Sequence, residues 1–567
     1  MVGTPAAIAQ GLHLTYPPRQ HRTDAARIFF IGTSPAPVQL NGQPIRQSAA
    51  GHFAPSRPLQ PGINRFVLRS GSQEVAVTVE RTVERLPQTL SDLRRPFPEQ
   101  AVAVQPGELV CFGVRAMPGA QVQVEIPGIG ILPLMAVGDR PELPSNAAVL
   151  VGQNQPQPSR TGEYGACRGF AQPQRLTGLV YRTVRGAATA QVVAPGSLEI
   201  LDPETIEVAT VTVPEAIART GPSTDASRLT PLPQGTQGRV TGRQGDWWRW
   251  EYGGWVEAKN VRIGRSPRPP RSVVRGVTTQ TAGLWTEVRI PLTVPLPVTV
   301  QERPGAVELT VHHATAETDT MKIAPSPILR LVQWEQRTPD RLTYRLEWKG
   351  DRLWGYKVRY EGTTLVFSLR HPPQGPITIL LDPGHGGPED LGARGPTGYP
   401  EKDVALTLAQ QVRDILQREG AIVVMTRTGD DDLWPQQRAL RIAEVEPTVA
   451  LSLHYNALPD AGDAENTQGI GMFWYHRQSH GLAQVLHDRL TRELNRPSYG
   501  VFWGNLALAR PTVAPSVLLE LGFMIHPEEF EWIVSPVAQH QLARAIARIT
   551  LDWIRQTPDR QQRRSKI

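Results

Sequence analysis

At 567 residues the chain is too long for a single hydrophobic core, because cores stop growing near about 300 residues, so we expect several domains. Its 40% hydrophobic and 20% charged residues are typical of globular protein, and no run of about 18 apolar residues predicts a membrane span. The net charge of +7 favours an anionic polymer as partner, and both nucleic acid and cell wall meet that description.

Residues 1–27 contain a feature of secreted proteins. Ala7-Ile8-Ala9 followed by Gln10 resembles the A-x-A end of a signal peptide, although the basic and apolar parts of such a peptide are missing. One interpretation is that translation starts upstream and that this segment is the remnant of a signal peptide; the other is coincidence. The first interpretation predicts a protein of the periplasm or cell envelope.

Two β-rich modules follow, at 28–90 and 91–203. In the first, period-two alternation of apolar residues is interrupted by Asn-Gly and Ser-Gly, which predicts antiparallel hairpins of a small sandwich. The second contains Cys111 and Cys167, which form a disulfide if the compartment is oxidising; two buried free thiols are the alternative. We assign no site to either module.

Residues 204–264 contain Gly-Asp-Trp-Trp-Arg and Gly-Trp-Val turns and resemble the bacterial Src-homology-3-like barrel found beside many wall hydrolases. Its tryptophans either stack on a ligand or divide between core and surface. A Pro-rich linker is predicted at 265–271. The β-patterned segment 272–371 resembles, by its position, the AMIN-type modules that target wall amidases. Envelope partners are therefore expected to bind through these N-terminal β modules.

The pattern changes in the segment 372–557, where short apolar runs alternate with amphipathic helices and predict an α/β domain. The fold class is therefore a multidomain protein with several all-β modules, of sandwich and small-barrel type, followed by a C-terminal α/β domain. The basic tail 558–567 is predicted to be a solvated end. Strands of the α/β domain are expected at about 377–382, 421–426, 448–453, 469–474 and 516–521, and a helix from Glu401 to Gly420.

Four residues of this domain can build a catalytic metal site. His385 follows the first predicted strand, Glu401 begins a helix, and His454 and Glu520 end later strands. Because polar groups at the carboxyl ends of strands converge in open α/β sheets, we expect all four in one cleft. Two imidazoles and a carboxylate are a usual catalytic zinc shell, and a second carboxylate can move protons.

Each of these residues also has a structural interpretation. Taken alone, His385 and His454 are surface or core histidines, and Glu401 interacts with the helix dipole. Glu520 is the exception, because a carboxylate inside Val517-Leu-Leu-Glu-Leu is costly to bury without a partner.

The segment from about 377 to 554 resembles the zinc-dependent N-acetylmuramoyl-L-alanine amidases that separate daughter cells. The resemblance rests on five motifs: Leu-Asp-Pro-Gly-His-Gly-Gly, Gly-Tyr-Pro-Glu-Lys-Asp, Met-Thr-Arg-Thr-Gly-Asp, Ser-Leu-His-Tyr-Asn-Ala and Leu-Glu-Leu-Gly-Phe-Met. It implies that His385, Glu401 and His454 hold Zn²⁺ and that Glu520 is the catalytic carboxylate. The implied substrate is peptidoglycan, cut between N-acetylmuramic acid and L-alanine. Asn456 and Arg438 are either substrate contacts or structural residues.

Regulated members of that family carry a helical insertion that blocks the cleft. Because the segment between His454 and Gly469 is short and rich in Asp, Ala and Gly, we predict no self-blocking helix here, with control through the N-terminal modules instead. A catalytically inactive wall-binding scaffold is the alternative function, but such a protein is free to lose the four site residues. Nucleic-acid binding rests on charge alone, since no recognised motif accompanies it.

Overall fold

The computed structural model describes residues 11–83, 85–138, 141, 143–152, 154–156 and 162–556. The signal-peptide motif at residues 7–9 and the basic tail 558–567 lie outside the described residues. Among the described residues the chain forms two compact units. The first combines 11–83, 350–357 and 369–556, and the second combines the described residues of 85–349 with 358–368.

The N-terminal module of the first unit consists of short strands. They are β1 (His13–Tyr16), β2 (Gln20–Thr23), β3 (Arg27–Phe29), β4 (Ile31–Thr33), β5 (Gln39–Leu40), β6 (Gln43–Pro44), β7 (His52–Phe53), β8 (Ser56–Pro58), β9 (Gly62–Ser70) and β10 (Gln73–Arg81). They form sheets of order β1-β4-β7, β2-β10-β9-β5-β6 and β3-β8. Alternate residues of the long hairpin β9–β10, such as Leu68 and Val77, fill the core of this module.

The strands between Val102 and Arg370 make up most of the second unit. They are β11 (Val102–Val104), β12 (Leu109–Arg115), β13 (Gln121–Ile126), β14 (Gly130–Ala136), β15 (Glu163–Gly169), β16 (Gln174–Leu176), β17 (Val180–Arg185), β18 (Ala188–Val193), β19 (Leu198–Ile200), β20 (Glu207–Val211), β21 (Glu215–Ala216), β22 (Ala218–Arg219), β23 (Leu232–Pro233), β24 (Gln237–Gln244), β25 (Trp247–Trp250), β26 (Trp255–Glu257), β27 (Val261–Arg265), β28 (Ser272–Ala282), β29 (Trp285–Pro291), β30 (Val298–Arg303), β31 (Ala306–His312), β32 (Ala314–Lys322), β33 (Leu329–Thr338), β34 (Arg341–Trp348), β35 (Tyr356–Glu361) and β36 (Thr364–Arg370). Short 3-10 helices lie at Asn146–Val151 and Ala258–Asn260.

These strands form several sheets, with orders β12-β15-β14-β13-β17-β18, β32-β28-β29-β36-β35 and β30-β31-β34-β33. In a further sheet, β11 pairs with β24, so strands from the predicted modules 91–203 and 204–264 belong to one sheet. Trp250 is fully buried, whereas Trp247, Trp248 and Trp255 are half-buried. The tryptophans of this segment therefore divide between core and surface.

Cys111 and Cys167 form a disulfide, which is one of the two states that the sequence allowed. The two residues lie directly opposite each other on the antiparallel strands β12 and β15. The bridge joins residues 56 positions apart in sequence.

The α/β domain completes the first unit. Its strands are β37 (Thr378–Pro383), β38 (Ile422–Met425), β39 (Val449–Asn456), β40 (Ile470–Trp474), β41 (Ser498–Trp503) and β42 (Ser516–Phe523). Its helices are α1 (Glu401–Arg418), α2 (Pro435–Val445), α3 (Arg477–Glu493), α4 (Pro527–Ile533) and α5 (Pro536–Arg555), with a 3-10 helix at Ala507–Ala509. The sheet order is β38-β37-β39-β42-β40-β41.

Five strands of this sheet lie where the sequence predicts them, to within three residues at each end, and β41 is an addition at the edge. Strands β37, β38, β39 and β42 are parallel, so their carboxyl ends meet along one edge. Strand β40 runs antiparallel to β42. The edge formed by β37, β39 and β42 therefore collects the residues that follow or end these strands.

Helix α1 shows how the sequence determines the packing of this domain. Val404, Leu408, Val412 and Leu416 recur every four residues, so they lie on one face and join the core beneath the sheet. The helix ends at Arg418, and Gly420, two residues later, has a φ of +84°, a left-handed conformation that glycine adopts without strain. Helices α3 and α5 contribute Leu486 and Ile546, among others, to the same core. Within the described residues no helix has the length and apolar character needed to cross a membrane.

Replacing both cysteines by serine should destabilise the second unit, because the bridge limits the freedom of the unfolded chain. For a separation of 56 residues the chain-entropy model gives about 4 kcal/mol. Calorimetry of the Cys111→Ser/Cys167→Ser variant should show one transition at a lower temperature. Reductant should reproduce that change in the wild type and leave the variant unaffected; identical thermograms for oxidised wild type and variant would contradict the prediction.

Candidate active site

The four residues singled out in the sequence converge at the carboxyl edge of β37, β39 and β42. His385 lies two residues after β37, Glu401 is the first residue of α1, His454 lies in β39, and Glu520 lies opposite His454 in the neighbouring strand β42. The backbone N–H of Gly384 donates to the carbonyl of Leu453 at 2.9 Å, which brings the His385 loop against β39. The fold thus brings together residues up to 135 positions apart, from His385 to Glu520.

His385, Glu401 and His454 form a compact cluster of possible metal ligands. His385 Nε2 lies 3.2 Å from Glu401 Oε2, and His454 Nδ1 lies 3.1 Å from Glu401 Oε1. The two imidazoles approach each other to 3.2 Å between Nε2 of His385 and Nδ1 of His454. One ligand atom from each of the three residues can be chosen so that all lie within 4.8 Å of one another. The cluster therefore offers two nitrogens and one carboxylate to a single cation.

Glu401 is buried, and its carboxylate is held by backbone donors. The N–H groups of Ala393 and Tyr455 donate to Oε2 and Oε1 at 2.8 and 2.9 Å. Burial alone would raise the pKa of Glu401, but hydrogen bonds and charges from His385 and His454 hold that pKa at about 2. Glu401 is therefore anionic at neutral pH, as a metal ligand must be.

The ring of His385 is fixed by a second carboxylate. Nδ1 of His385 lies 2.6 Å from Oδ1 of Asp390, which leaves Nε2 facing Glu401 and His454. Burial lowers the pKa of His385, whereas the hydrogen bonds and charges of Glu401 and Asp390 raise it, with a net value of about 9. Such carboxylate partners orient imidazole ligands in metal sites.

A buried ion pair supports the loop that carries His385. Asp382 is fully buried and accepts hydrogen bonds from Arg438 at 2.9 Å, Ser452 at 2.6 Å and Thr426 at 2.5 Å. Burial raises the pKa of Asp382, but Arg438 and the two hydroxyls lower it below its usual value. The carboxylate is therefore charged and fully partnered inside the domain.

Arg438, one of the two proposed substrate contacts, is buried in this network. Its guanidinium donates to the carbonyls of Pro383, His385 and Leu433 at 2.6, 2.7 and 2.8 Å. Asn456, the other, is half-buried at the end of β39, where its Oδ1 accepts from the N–H of Ala457 at 2.8 Å. The structural role that the sequence left open for Arg438 thus has direct contacts to support it.

Glu520 has an unusual environment. Its Oε2 is buried and has no hydrogen-bond partner among the described residues. Burial, followed by the negative charge of Glu401, raises the pKa of Glu520 well above its ordinary value. A carboxyl group that binds a proton readily beside a possible cation site can act as a general acid or base.

Sequence reasoning missed three residues that shape this site. Asp382 lies inside the motif Leu-Asp-Pro-Gly-His-Gly-Gly, and Arg427 lies inside Met-Thr-Arg-Thr-Gly-Asp. Asp390 follows His385 by five positions. Arg427 donates to the carbonyls of Gly384 and Lys402 at 2.8 and 2.7 Å. Asp382 was detectable in the sequence, because it is a charged residue inside the apolar run before Pro383 and a buried charge needs a partner. The same argument identified Glu520.

Two glycines allow the backbone to pass close to the cluster. A Cβ at Gly384 would lie 2.4 Å from the ring of His454. A Cβ at Gly392, where φ is +68°, would lie 2.6 Å from Glu401 Oε2 and 2.7 Å from the ring of His385. The space around the three side chains therefore depends on the absence of side chains at these positions.

Comparison with known proteins gives a family match for this domain. Residues 379–550 match the family model Amidase_3, N-acetylmuramoyl-L-alanine amidase. The matched segment contains His385, Glu401, His454 and Glu520.

Among curated proteins, the probable cell wall amidase LytH of Staphylococcus aureus is 35% identical over 179 residues, 31% of this chain. The chain spans 58% of the length of that relative.

Solved structures of amidases also resemble the chain. The N-acetylmuramoyl-L-alanine amidase from Clostridium difficile 630 is 27% identical, with a TM-score of 0.31, over 33% of this chain and 100% of that one. The N-acetylmuramoyl-L-alanine amidase AmiC2 of Nostoc punctiforme is 30% identical, with a TM-score of 0.31, over 32% of this chain and 100% of that one.

Arg438→Met should strongly destabilise the first unit, because it leaves Asp382 buried without a cation. Removing one partner of a buried pair costs about 3–5 kcal/mol. The control is Arg441→Met on the same helix. Arg441 forms an exposed pair with Glu444, so its loss should change the free energy of unfolding by no more than about 0.5 kcal/mol. Denaturant titration measures both; equal midpoints for the two variants would contradict the structural role of Arg438.

Gly392→Ala should weaken metal binding, because its Cβ displaces Glu401 or His385. Loss of a supporting contact in a metal site typically costs about 10–100-fold in affinity. Gly420→Ala is a matched control, since Gly420 also has a positive φ but a Cβ there would meet nothing within 4 Å. Competition with a zinc chelator measures the affinity, and equal affinities in the two variants would show that the crowding is harmless.

Proposed function

We propose that the protein is a zinc-dependent N-acetylmuramoyl-L-alanine amidase that hydrolyses the amide between N-acetylmuramic acid and the L-alanine of the stem peptide in peptidoglycan. The observation that carries this proposal is the convergence of His385, Glu401 and His454 beside Glu520. This convergence lies inside the segment that matches the amidase family. The description of the matching family model supports the choice of bond.

The donor set fits zinc. Imidazole nitrogens and a carboxylate oxygen are ligands that zinc prefers, and one such atom from each of His385, Glu401 and His454 lies within 4.8 Å of the other two. Two imidazoles with one carboxylate leave a coordination position open, as catalytic zinc sites do. We assign these three residues as the ligands. When bound, zinc supplies Lewis acidity towards the scissile carbonyl and the attacking water.

Glu520 is the proton-transfer residue in this proposal. Its carboxylate accepts a proton from the attacking water, and the resulting carboxylic acid donates that proton to the L-alanine nitrogen as the carbon–nitrogen bond breaks. Its raised pKa suits the second step, because the amine leaves only when it is protonated. General acid–base catalysis of this kind contributes about 10² to 10⁴-fold.

The remaining site residues have positioning roles. Asp390 orients the ring of His385. Arg438 pairs with Asp382 and also donates to the backbone carbonyl of His385, so it fixes the position of that residue. We assign Asn456 as a substrate contact, because it lies at the end of β39, two residues after His454, and is partly exposed.

Peptidoglycan as substrate places the protein outside the cytoplasm, in the periplasm or cell envelope. The disulfide between Cys111 and Cys167 supports an oxidising compartment. The β modules of the second unit are assigned to wall binding and to contacts with envelope partners. This function does not involve binding to nucleic acid.

Glu520→Gln should lower kcat on purified sacculi by about 10² to 10⁴-fold while zinc content stays at the wild-type level. His385→Ala should lose zinc as well as activity, because it removes a ligand. Glu528→Gln, a partly exposed glutamate on α4, is the control and should behave like the wild type. Release of labelled muropeptides measures activity, and elemental analysis measures zinc.

The products decide the bond that is cut. New N-terminal L-alanine and unsubstituted muramic acid identify the amide proposed here, whereas new reducing ends would identify a glycosidase. A wild-type chain that binds sacculi without releasing L-alanine N-termini would instead support the scaffold function.

A further inference from the structure

The N-terminal module and the amidase domain share a hydrophobic cluster within the first unit. Ile28-Phe29-Phe30-Ile31 is a continuous apolar run, and its residues alternate between two cores. Ile28 and Phe30 face the core of the module, whereas Phe29 and Ile31 join a second cluster. That cluster, which we call the docking cluster, consists of Phe29, Ile31, Ala54, Ala464, Phe523 and Ile525, all at most 3% exposed.

The docking cluster is adjacent to the candidate active site. Phe523 and Ile525 follow Glu520 by three and five residues, and Ala464 belongs to the segment 457–468, which connects β39 to β40 and follows His454. We call this segment the β39–β40 loop. It contains no helix, as the sequence predicts.

Polar contacts from the module hold the same loop. The Tyr16 hydroxyl donates to Oδ1 of Asp460, and Nε2 of His21 lies 2.8 Å from Oδ2 of Asp460. Burial raises the pKa of Asp460, but hydrogen bonds from Tyr16, His21 and Thr23 lower it below its ordinary value, so the group is a carboxylate. The middle of the β39–β40 loop is thus fixed by Asp460 on one side and by Ala464 on the other.

The module also contacts the segment that leads from His385 to Glu401. Thr15 Oγ1 donates to the carbonyl of Pro396 at 2.8 Å. Thr15 and Tyr16 are neighbours in β1, so this short strand contacts the loops that follow β37 and β39. His385 is the second residue after β37, and His454 lies three residues before the β39–β40 loop.

A third set of contacts reaches α4, away from the β39–β40 loop. Arg46 pairs with Glu528 at 2.6 Å, and the N–H of Ala50 donates to Glu531 at 3.1 Å. The ring of His52 meets the ring of Phe530 edge to face, with 5.3 Å between their centroids. The module therefore contacts the amidase domain at four places: the β39–β40 loop, the segment between His385 and Glu401, the end of β42 with the residues that follow it, and α4.

Docking leaves the candidate site open to solvent. The side chains of His385 and His454 are 25% and 15% exposed with the module in place. A module that blocked the cleft would bury these rings. The module therefore lies beside the cleft and not over it.

We propose that the N-terminal module is a fixed wall of the amidase cleft and that Tyr16 and His21, acting through Asp460, position the β39–β40 loop for substrate binding. The inference rests on the amidase function proposed above. It makes residues 11–83 part of the catalytic unit, and it assigns Tyr16, His21 and Asp460 as positioning residues. The substrate segment that this wall contacts is the peptidoglycan strand flanking the scissile amide.

The test uses the full chain with Tyr16→Phe, Asp460→Asn and the double variant. Tyr16→Phe removes one of the contacts that hold Asp460, whereas Asp460→Asn removes the carboxylate that both Tyr16 and His21 contact. We expect kcat/KM on a soluble glycan–peptide fragment to fall about 10-fold in Asp460→Asn and by less in Tyr16→Phe, within the roughly 10²-fold effect of a 1 Å misplacement. The double variant should fall no further than Asp460→Asn, because the Tyr16 hydroxyl acts through that carboxylate. Zinc content should not change, and amide hydrogen exchange in residues 457–468 should accelerate.

Arg46→Met is the matched control. It removes a contact of the same interface, but one that touches α4 and not the β39–β40 loop, so kcat/KM and exchange in 457–468 should stay at wild-type levels. If Arg46→Met lowers activity as much as Tyr16→Phe, the module acts only through overall stability and the inference fails.

The other outcomes are equally decisive. Higher activity in Tyr16→Phe would identify the module as an inhibitory plug and overturn the proposal. Unchanged kcat/KM in an active protein would overturn only this inference. A wild-type chain without amidase activity would overturn the proposed function itself.

Discussion

Two buried carboxylates, Asp382 and Glu401, constrain the whole site. An ion removed from water costs several kcal/mol unless charges and hydrogen bonds replace its hydration. Asp382 is compensated by Arg438 and two hydroxyls, and this pairing fixes the path of the chain into His385. Glu401 is compensated by two backbone N–H groups and by the imidazoles of His385 and His454. The arrangement that satisfies these carboxylates is the arrangement that a cation would use.

Much of the amidase domain could be predicted from sequence, because its signals are local. The apolar runs of β37, β39 and β42 are those of strands buried on both faces, and each is followed or ended by a residue with metal or acid–base chemistry. The four-residue spacing of Val404, Leu408 and Val412 likewise predicts α1. Convergence of the site residues then follows from parallel pairing, since parallel strands end at the same edge.

The features that escaped prediction depend on contacts without a local signal. Strand β41 is a half-exposed edge strand with little alternation, so its pattern does not distinguish it from a loop. Arg438 looks like an exposed helical arginine until the position of Asp382 is known. The attachment of the N-terminal module joins residues 381 or more positions apart, and its one trace in the sequence is the unbroken apolar run Ile28–Ile31, longer than a single-faced strand requires.

The attachment of the module to the amidase domain has a consequence for biosynthesis. Phe29 and Ile31 emerge from the ribosome almost 500 residues before Phe523, their partner in the docking cluster. At about 5–20 residues per second, that interval is roughly 25–100 s. During this time the apolar face of the newly made module is exposed, while the intervening β modules are being translated. The module therefore reaches its final environment only after Phe523 has been made, and until then its apolar face is exposed to aggregation and available to chaperones.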